Sequence, residues 1–184
     1  MNNTFTIRRA DPTDLAAVWA LCRAVKKQLA ADGIPIWGED YPRRDDFAAD
    51  IAAGKMPVAV RDGKIIGSLA YNADLAGEYF FDLPAAEAGR RTAEMLAMSG
   101  AVPGKTVSGH RLMVDPHARQ GGVAEGLLRA LEAGCPGQWI VLFASPVNAP
   151  ARRLYAKLGY RDIGEYTFGF GVMRYLVKPP QGNA

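Results

Sequence analysis

One segment of the chain, which runs from an apolar strand through a glycine turn into an amphipathic helix, restricts the fold most. The strand is predicted at 108–114 and the helix at 121–133. Gly121 and Gly122 let the backbone between these elements approach a ligand closely. The first turn of a helix also has N–H groups that find no acceptor inside the helix, and they lie at the positive end of its dipole. The segment therefore predicts an anion-binding site at this turn.

The composition is that of one globular domain. The chain has 184 residues, of which 49% are apolar and 22% charged, and this suffices for a substantial core. We predict a single domain over 1–184, with a variable insert at about 73–107 and a tail at 179–184. A net charge of +3 is too small to indicate a nucleic-acid partner. The apolar runs are too short to indicate a membrane partner.

The cysteine and histidine residues indicate in which cellular compartment the protein works and whether it has a metal site. Cys22 and Cys135 fit neither a Cys-x-x-Cys motif nor a disulfide framework. Residues 1–9 contain no apolar core of signal-peptide length. We therefore predict a cytoplasmic protein. No metal site is predicted, because His110 and His117 have no cysteine or carboxylate partner at ligand spacing.

The spacing of apolar residues predicts helices and strands in alternation. A first helix begins at Asp11-Pro12, where an acidic N-cap precedes a proline, and Asp62-Gly63 forms the tight turn of a hairpin. The segment 73–107 fits a helix at about 85–98. The segment 167–178 fits either a strand pair or one long strand. The remaining elements are strands at 5–8, 57–60, 65–71 and 139–144 and helices at 45–53 and in the 150s.

Two motifs resemble those of the GCN5-related N-acetyltransferase (GNAT) family. Residues 119–124 read Arg-x-x-Gly-x-Ala and resemble the loop that binds the pyrophosphate of acyl-CoA. Residues 148–160, a helix that starts at Asn, carries a Tyr and ends at a Gly-Tyr pair, are similar to the family's closing motif. Residues 37–42 and 50–54 resemble a pattern of bacterial members. The resemblance implies an α/β fold with a mixed, mostly antiparallel central sheet flanked by helices, in the order β-α-α-β-β-β-α-β-α-β.

The same resemblance implies acetyl-CoA as co-substrate and assigns the residues that contact it. Backbone N–H groups of the turn would bind the pyrophosphate, with Arg119 as a nearby positive charge. The backbones at Leu112 and Val114 would pair with the pantetheine arm, as an added strand does. Asn148 would contact the cofactor, cap its own helix, or do both. The predicted cofactor-binding residues are Leu112, Val114, Arg119, Gln120, Gly121, Gly122, Val123, Ala124 and Asn148.

Tyr155 and His110 are the predicted catalytic residues. By resemblance, Tyr155 would protonate the thiolate that leaves when an amine attacks a thioester. The alternative is a tyrosine that only packs in its helix. Histidine is the residue type that titrates nearest neutral pH, so His110 would take the proton of the amine, unless it is a structural strand histidine. A strand period of two places His110 on the same face as Leu112 and Val114.

Some relatives carry a glutamate base at the position of Ser108, and serine cannot act as a base. His117 is expected to shape the glycine turn. Three carboxylates are further candidates for a base, acting through water: Glu39, Asp40 and Glu78.

The resemblance implies an acyl-CoA-dependent N-acyltransferase that moves an acetyl group to a primary amine by direct attack in a ternary complex. Trp37 and Tyr41 are predicted to bind the acceptor, a small-molecule amine. Two alternatives stay open: an acyl-CoA-binding sensor or regulatory module without turnover, and an N-acetyltransferase of proteins or peptides. A homodimer that pairs through 167–177 is a further hypothesis.

Overall fold

The computed structural model describes residues 4–34, 36–119 and 121–180. Within these residues lie seven strands and six α-helices, with short 3-10 helices at Pro12–Asp14 and Pro116–Ala118. The strands are β1 (Thr6–Arg9), β2 (Pro57–Arg61), β3 (Lys64–Asn72), β4 (Thr106–Val114), β5 (Trp139–Ala144), β6 (Arg161–Phe168) and β7 (Gly171–Lys178). The helices are α1 (Leu15–Ala31), α2 (Arg44–Ala52), α3 (Leu75–Tyr79), α4 (Ala85–Ala97), α5 (Val123–Gly134) and α6 (Ala149–Lys157).

The strands form one mixed sheet in the order β1-β2-β3-β4-β5-β7-β6. Strands β4 and β5 run parallel, whereas the pairs β1–β2, β2–β3, β5–β7 and β6–β7 are antiparallel. A parallel pair needs a crossover connection, and α5 lies between β4 and β5 in the chain. The predicted fold class, a mixed and mostly antiparallel sheet with helices, is confirmed.

The chain divides into two compact units, and the division crosses β4. The first unit comprises residues 1–71 and 110–134, and the second comprises 72–109 and 135–184. The helices α3 and α4 occupy the segment predicted as a variable insert, and the assignment of that insert stays a prediction, as does the single domain. Of the predicted tail, residues 181–184 lie outside the described part of the chain.

The first unit has an apolar core to which α1 and α2 contribute one face each. Val18, Cys22 and Val25 of α1 are buried in it, as their helical spacing predicts. Phe47 of α2 and Met113 of β4 join the same cluster. Helix α5 packs against β1 and β2. Burying an aliphatic or aromatic side chain of this size contributes about 1.5–3 kcal/mol, so this face of α1 fixes the helix to the sheet.

The second unit has an aromatic core. Tyr79 of α3 lies with its ring centroid 4.6 Å from that of Phe143 and 5.3 Å from that of Phe168. Phe143 in turn stacks on Tyr175 of β7. Helix α3 was not predicted, because its five residues are too few for a period of 3.6 to be recognised. Its start is nevertheless marked locally, since the Asp74 side chain accepts the N–H of Gly77.

The last segment of the chain forms a strand pair, so the alternative of one long strand is wrong. Strand β6 begins at Arg161, before the predicted start at 167. Gly164 has a φ of 129°, and the β6–β7 register shifts next to it, so the apolar alternation of this strand is interrupted. Strand β7 is paired on both sides. Of the segment 167–177, residues 167 and 168 belong to the edge strand β6, and pairing across subunits through this segment stays a prediction.

Candidate active site

The glycine turn lies in the first unit, between the end of β4 and the start of α5. Asp115 donates its N–H to the carbonyl of Ile66 at 2.9 Å, and its carboxylate accepts the N–H of His117 at 2.8 Å. Gly122 has a φ of 75°, and its carbonyl accepts the N–H of Gly126 at 2.8 Å, the bond that opens α5. The N–H groups of the first helical turn therefore point out of the helix end, which is the geometry of an anion site.

The side chains of the turn divide between core and surface. Val123 is buried, so it can offer a ligand only its backbone. Gly121 and Ala124 are half-buried, and Gln120 lies outside the described residues. The start of α5 approaches β3 closely, because a Cβ added at Gly67 would lie 2.7 Å from Cγ1 of Val123. The absence of a side chain at Gly67 therefore allows α5 and the glycine turn before it to lie this close to β3.

Arg119, the predicted positive charge beside the turn, is held by an ion pair. Its Nη1 lies 2.8 Å from Oδ2 of Asp32, the residue after α1. The Arg119 guanidinium, followed by the amide of Gln28, lowers the pKa of the Asp32 carboxyl. The side chain of Arg119 is 42% exposed, so the guanidinium remains accessible to an anion from solvent.

Leu112 and Val114 follow an irregularity in β4. Arg111 has a φ of 51°, a left-handed conformation that costs a residue with a Cβ about 1–2 kcal/mol. Leu112 and Val114 are half-buried, whereas Met113 between them is fully buried in the core. The prediction that His110, Leu112 and Val114 share one face of the strand assumed that side chains alternate without a break. The left-handed Arg111, between His110 and Leu112, interrupts this alternation.

His110 and Arg111 both approach the carboxylate of Asp50 on α2. His110 Nε2 lies 3.7 Å from Oδ1 of Asp50, and Arg111 Nη1 donates to Oδ2 at 2.7 Å. The guanidinium also lies over the ring of Tyr41, with Cζ 5.3 Å from the ring centroid. The structure thus brings together one predicted catalytic residue and one predicted acceptor-binding residue. Trp37, the other predicted acceptor-binding residue, packs against the apolar core of this unit.

The further candidates for a base lie at different places. Glu39 and Asp40 are exposed on the loop before α2. That loop is held by Lys26, whose ammonium donates to the carbonyls of residues 38, 39 and 42. In the second unit, Glu78 accepts a hydrogen bond from Nδ2 of Asn72 at 3.2 Å.

Asn148 caps α6 in the second unit, and Tyr155 lies on this helix. The side chain of Asn148 accepts the N–H of Ala151 at 3.2 Å, so the N-cap role is present. Tyr155 is buried, with its ring centroid 6.0 Å from that of Tyr160. Burial raises the pKa of Tyr155 to about 12. A phenol in this condition keeps its proton over the neutral range and can act as a donor.

Three residues with polar partners were not predicted from the sequence, two in the first unit and one in the second. Asp50 and Arg111 form an ion pair between residues 61 positions apart. The available signal was the arginine itself, because a charged residue inside an apolar strand needs a counter-charge. In the second unit, the hydroxyl of Tyr79 forms a buried hydrogen bond with Oγ of Ser108. Ser108 therefore has a structural partner, which no sequence pattern indicated.

The described residues contain no helix long and apolar enough to cross a membrane. In the same parts of the chain, no three His, Cys, Asp or Glu side chains are grouped so that they could hold a metal ion.

Comparison with known proteins identifies a matching family model and solved structures with a similar fold. The model of the acetyltransferase (GNAT) family matches residues 22–160. A GNAT acetyltransferase of Streptococcus agalactiae has a similar structure, with a TM-score of 0.74, 23% identity and 96% of each chain covered. YncA of Salmonella typhimurium, solved with its cofactor acetyl-CoA, has a TM-score of 0.67 and 21% identity, with 98% of this chain and 96% of that chain covered. Comparison with the sequences of curated proteins gives no match.

A third similar structure is the PaiA N-acetyltransferase of Thermoplasma acidophilum in complex with coenzyme A. Its TM-score is 0.65 at 16% identity, and the match covers 96% of this chain and 99% of that one. All three structures share the fold at identities below 25%. The family model, in contrast, matches about three quarters of the sequence directly.

Proposed function

Because the chain belongs to the acetyltransferase (GNAT) family, we propose that it transfers the acetyl group of acetyl-CoA to the primary amine of a small molecule, by direct attack in a ternary complex. The observation that carries the proposal is the glycine turn, in which Gly122 with a φ of 75° directly precedes the start of α5 at Val123. This geometry supports the binding of a pyrophosphate by backbone N–H groups. Acetyl-CoA, the expected co-substrate, is the acyl donor of the family.

Backbone groups would contribute more contacts to acetyl-CoA than side chains would. The turn would bind the pyrophosphate through N–H groups, and Arg119 would add a positive charge while its ion pair with Asp32 orients it. The strand end at Leu112 and Val114 would pair with the pantetheine arm. Asn148 would contact the cofactor in addition to capping α6. The residues assigned to the N–H groups of the turn are Gln120, Gly121, Gly122, Val123 and Ala124.

An ammonium acceptor loses two protons in the reaction, and the sulfur gains one. The amine nitrogen forms a bond to the thioester carbonyl carbon, the C–S bond breaks, and CoA leaves as a thiolate. His110 would take the first proton of the ammonium before the attack, and Tyr155 would give its phenolic proton to the sulfur. The second proton of the nitrogen, released as the amide forms, would return to the phenolate through solvent. A backbone N–H near Val114 would stabilise the oxyanion of the intermediate.

A small amine is the proposed acceptor, and Tyr41 supports this choice. Its ring is 40% exposed and lies beside Arg111, next to the predicted base. An exposed aromatic ring can cover the apolar part of an amine or attract its charge. Trp37 is proposed to shape the same site from the core side. A panel of amines and of peptides with free N-termini or lysines would separate this acceptor class from a protein substrate.

The cofactor assignment is tested by calorimetric titration with acetyl-CoA. We expect saturable binding by the wild type and its loss in Gly122→Glu, because a carboxylate in the turn repels the pyrophosphate and occupies its place. Gly137→Glu is the matched control: Gly137 also has a positive φ of 72° and an open environment, but it lies outside the turn. This variant carries the same strain and charge and should bind as the wild type does.

Two results would contradict the proposal. Equal loss of binding in Gly122→Glu and Gly137→Glu would remove the turn as the binding site. Wild-type binding without CoA release on any amine or peptide would indicate an acyl-CoA sensor instead of an enzyme of this substrate class.

We also propose that the reaction takes place in the cytoplasm. Cys22 and Cys135 are both buried, and neither forms a disulfide. Thiols that form no disulfide agree with a reducing compartment, where disulfides rarely persist. Fractionation of the native host, followed by detection of the protein, would test this location.

A further inference from the structure

Two phenylalanines of the second unit are exposed at tight turns beside a carboxylate, and we call the three side chains the ring-and-acid surface: Phe81, Asp82 and Phe170. Phe81 is 69% exposed and Phe170 is 53% exposed. Their rings are parallel within 6°, with centroids 6.5 Å apart. Tight turns usually carry glycine, proline or small polar residues at their centres. Two exposed rings at such positions therefore indicate a binding function.

Each of the two turns is fixed by a hydrogen bond or a strand pair and by a buried ring. Leu83 donates its N–H to the carbonyl of Phe80 at 3.0 Å and so closes the first turn. The second turn joins the antiparallel strands β6 and β7. Phe80 and Phe168, one beside each turn, are buried with their ring centroids 5.5 Å apart. Phe170 stacks on Phe168 at 5.0 Å, so the exposed rings are held by the core before any ligand binds.

The carboxylate of Asp82 lies against the second turn. A Cβ added at Gly169 would lie 2.6 Å from Oδ2 of Asp82, so the two turns meet at this carboxylate. In the part of the chain that the structure describes, no group donates a hydrogen bond to this carboxylate or forms an ion pair with it. The faces of aromatic rings also attract cations. The surface is therefore complementary to a ligand that is both apolar and positively charged.

We propose that the ring-and-acid surface binds an ammonium ion that carries an aromatic group. The aromatic group of the ligand packs on the two phenylalanine rings, and its ammonium pairs with the carboxylate of Asp82. A primary amine is an ammonium ion at neutral pH, so this ligand belongs to the class of the proposed acceptor. The inference rests on the proposed function at this point, and it narrows the acceptor to primary amines with an aromatic group.

The position of the surface in the second unit agrees with a role in acceptor binding. Strand β5 ends at Ala144, which pairs with Arg174 of β7. Strand β7 begins before this pair, so the β6–β7 turn lies at the end of the sheet at which β5 ends. Helix α6, whose N-cap Asn148 is a proposed cofactor contact, follows β5 in the chain. The surface and the start of α6 thus lie at the same end of this unit.

A second copy of the chain fits this surface less well than a small cation does. An aromatic side chain buries about 150–250 Å² at most, so two partly exposed rings offer far less than the ~800 Å² per partner of a stable interface. A symmetric dimer would also bring the Asp82 carboxylates of both copies to one contact, where like charges repel each other. Size and charge therefore both favour a small ammonium ligand.

Binding is measured by NMR titration with phenethylammonium in the absence of acetyl-CoA. We expect saturable shifts of the ring signals of Phe81 and Phe170. Two probes each lack one of the recognised features: phenethyl alcohol has the ring without the charge, and ethylammonium has the charge without the ring. Both should bind at least about fivefold more weakly than phenethylammonium, because each loses one of two contacts.

Substitutions assign the two contacts to their residues. Asp82→Asn should weaken the binding of phenethylammonium about fivefold and leave that of phenethyl alcohol unchanged. Gly169→Ala keeps every charge but displaces the carboxylate, so it should also affect the ammonium alone. Phe170→Ala should weaken the binding of both ring-bearing probes. Asp45→Asn and Met98→Ala remove an exposed carboxylate and an exposed apolar side chain elsewhere, and they should bind as the wild type does.

Three results would overturn the inference. The first is equal binding of phenethylammonium by the wild type, Asp82→Asn and Phe170→Ala. The second is equal binding of phenethylammonium and ethylammonium by the wild type. The third is a dimer mass in light scattering that Phe170→Ala abolishes, which would assign the surface to a second copy. Should Phe170→Ala fail to fold, Phe81→Ala replaces it, since the ring of Phe81 is the more exposed one.

Release of CoA tests the proposed function separately. The absence of release with any amine, together with the expected binding of phenethylammonium, would overturn the proposed function and support the surface as a ligand site. Release with equal kcat/KM for ethylamine and phenethylamine would overturn the assigned acceptor class and leave the proposed function standing. A kcat/KM that favours phenethylamine and falls in Asp82→Asn supports both.

Discussion

At the scale of single residues, burial keeps the phenol of Tyr155 protonated over a wide range of pH. Its pKa is raised to about 12 because the phenolate would be desolvated. The group therefore stays protonated up to high pH, and an acid must be protonated to act. Loss of this proton should impose no alkaline limb on kcat below about pH 10.

Tyr155→Phe separates this role from packing, because it removes the hydroxyl and keeps the ring. We expect kcat to fall about a hundredfold while the Kd for acetyl-CoA and the Tm change little. Tyr160→Phe is the control, since this neighbouring ring lies 6.0 Å away and has no proposed role in the reaction. Steady-state kinetics and thermal unfolding of both variants provide the measurements. Equal kcat for wild type and Tyr155→Phe would leave only the packing role.

Asp14 is a second residue whose protonation has a measurable consequence. Its carboxylate forms a hydrogen-bonded ion pair with Arg8 at 2.6 and 2.8 Å and also accepts the N–H of Asp11 at 2.9 Å. The hydrogen bond from Arg8 is the main reason why the pKa of Asp14 is lowered. A lowered pKa stabilises the folded state above the unfolded value of about 4, and the gain is lost as pH falls through the folded value.

We expect Asp14→Asn to reduce the free energy of unfolding by about 1 kcal/mol at pH 7, a modest figure because Arg8 is partly exposed. The difference in the free energy of unfolding between Asp14→Asn and the wild type should vanish near pH 2, where the protonated Asp14 and the substituted asparagine are both uncharged. Urea unfolding at the two pH values measures it, with the exposed Asp45→Asn as reference. A difference that persists unchanged at pH 2 would assign the effect to the capping geometry instead of the charge.

At the scale of elements, the position of α5 depends on how closely it approaches β3. A Cβ at Gly67 would lie 2.7 Å from Val123 Cγ1 and 3.0 Å from the carbonyl oxygen of Met113. A side chain can shift, but the carbonyl belongs to the backbone of β4. A larger residue at 67 would therefore displace the start of the helix that follows the glycine turn.

Gly67→Ala should destabilise the protein by about 1–3 kcal/mol and weaken acetyl-CoA binding several-fold, because overpacking shifts the turn. Gly89→Ala is an informative counterpart, since Gly89 lies on the exposed face of α4 with nothing within 4 Å. That variant should be more stable by about 0.5–1 kcal/mol and bind acetyl-CoA unchanged. Denaturant unfolding and calorimetry give both quantities. Unchanged affinity in Gly67→Ala would show that the turn tolerates movement of α5.

Elements with local signals could be predicted from the sequence. The hairpin is an example, since Asp62 and Gly63 have φ values of 50° and 72°, as a two-residue turn requires. The capped start at Asp11 is another. Elements that depend on distant partners could not be predicted in this way. The left-handed Arg111 is held by an acid 61 residues earlier, and no local pattern reveals such a partner.

At the scale of the whole molecule, the family and the fold class follow from motifs that are short in sequence. Residues 119–124 and 148–160 sufficed for both, although Gln120 lies outside the described residues. The assignment of roles within the site stays a prediction, because the motifs specify backbone geometry and leave the acceptor to residues outside them. Tyr41 and Asp50 both lie outside these two motifs.

The division of β4 between Gly109 and His110 affects how the protein can fold during its synthesis on the ribosome. Neither unit is continuous in the chain, since the first needs residues 110–134 in addition to 1–71. Met113 belongs to the same core as Val58 and Ala70. The apolar surface of residues 1–71 therefore stays uncovered until residues 110–134 have left the exit tunnel. Chaperone demand during translation should consequently be highest between the emergence of residues 1–71 and the emergence of residues 110–134.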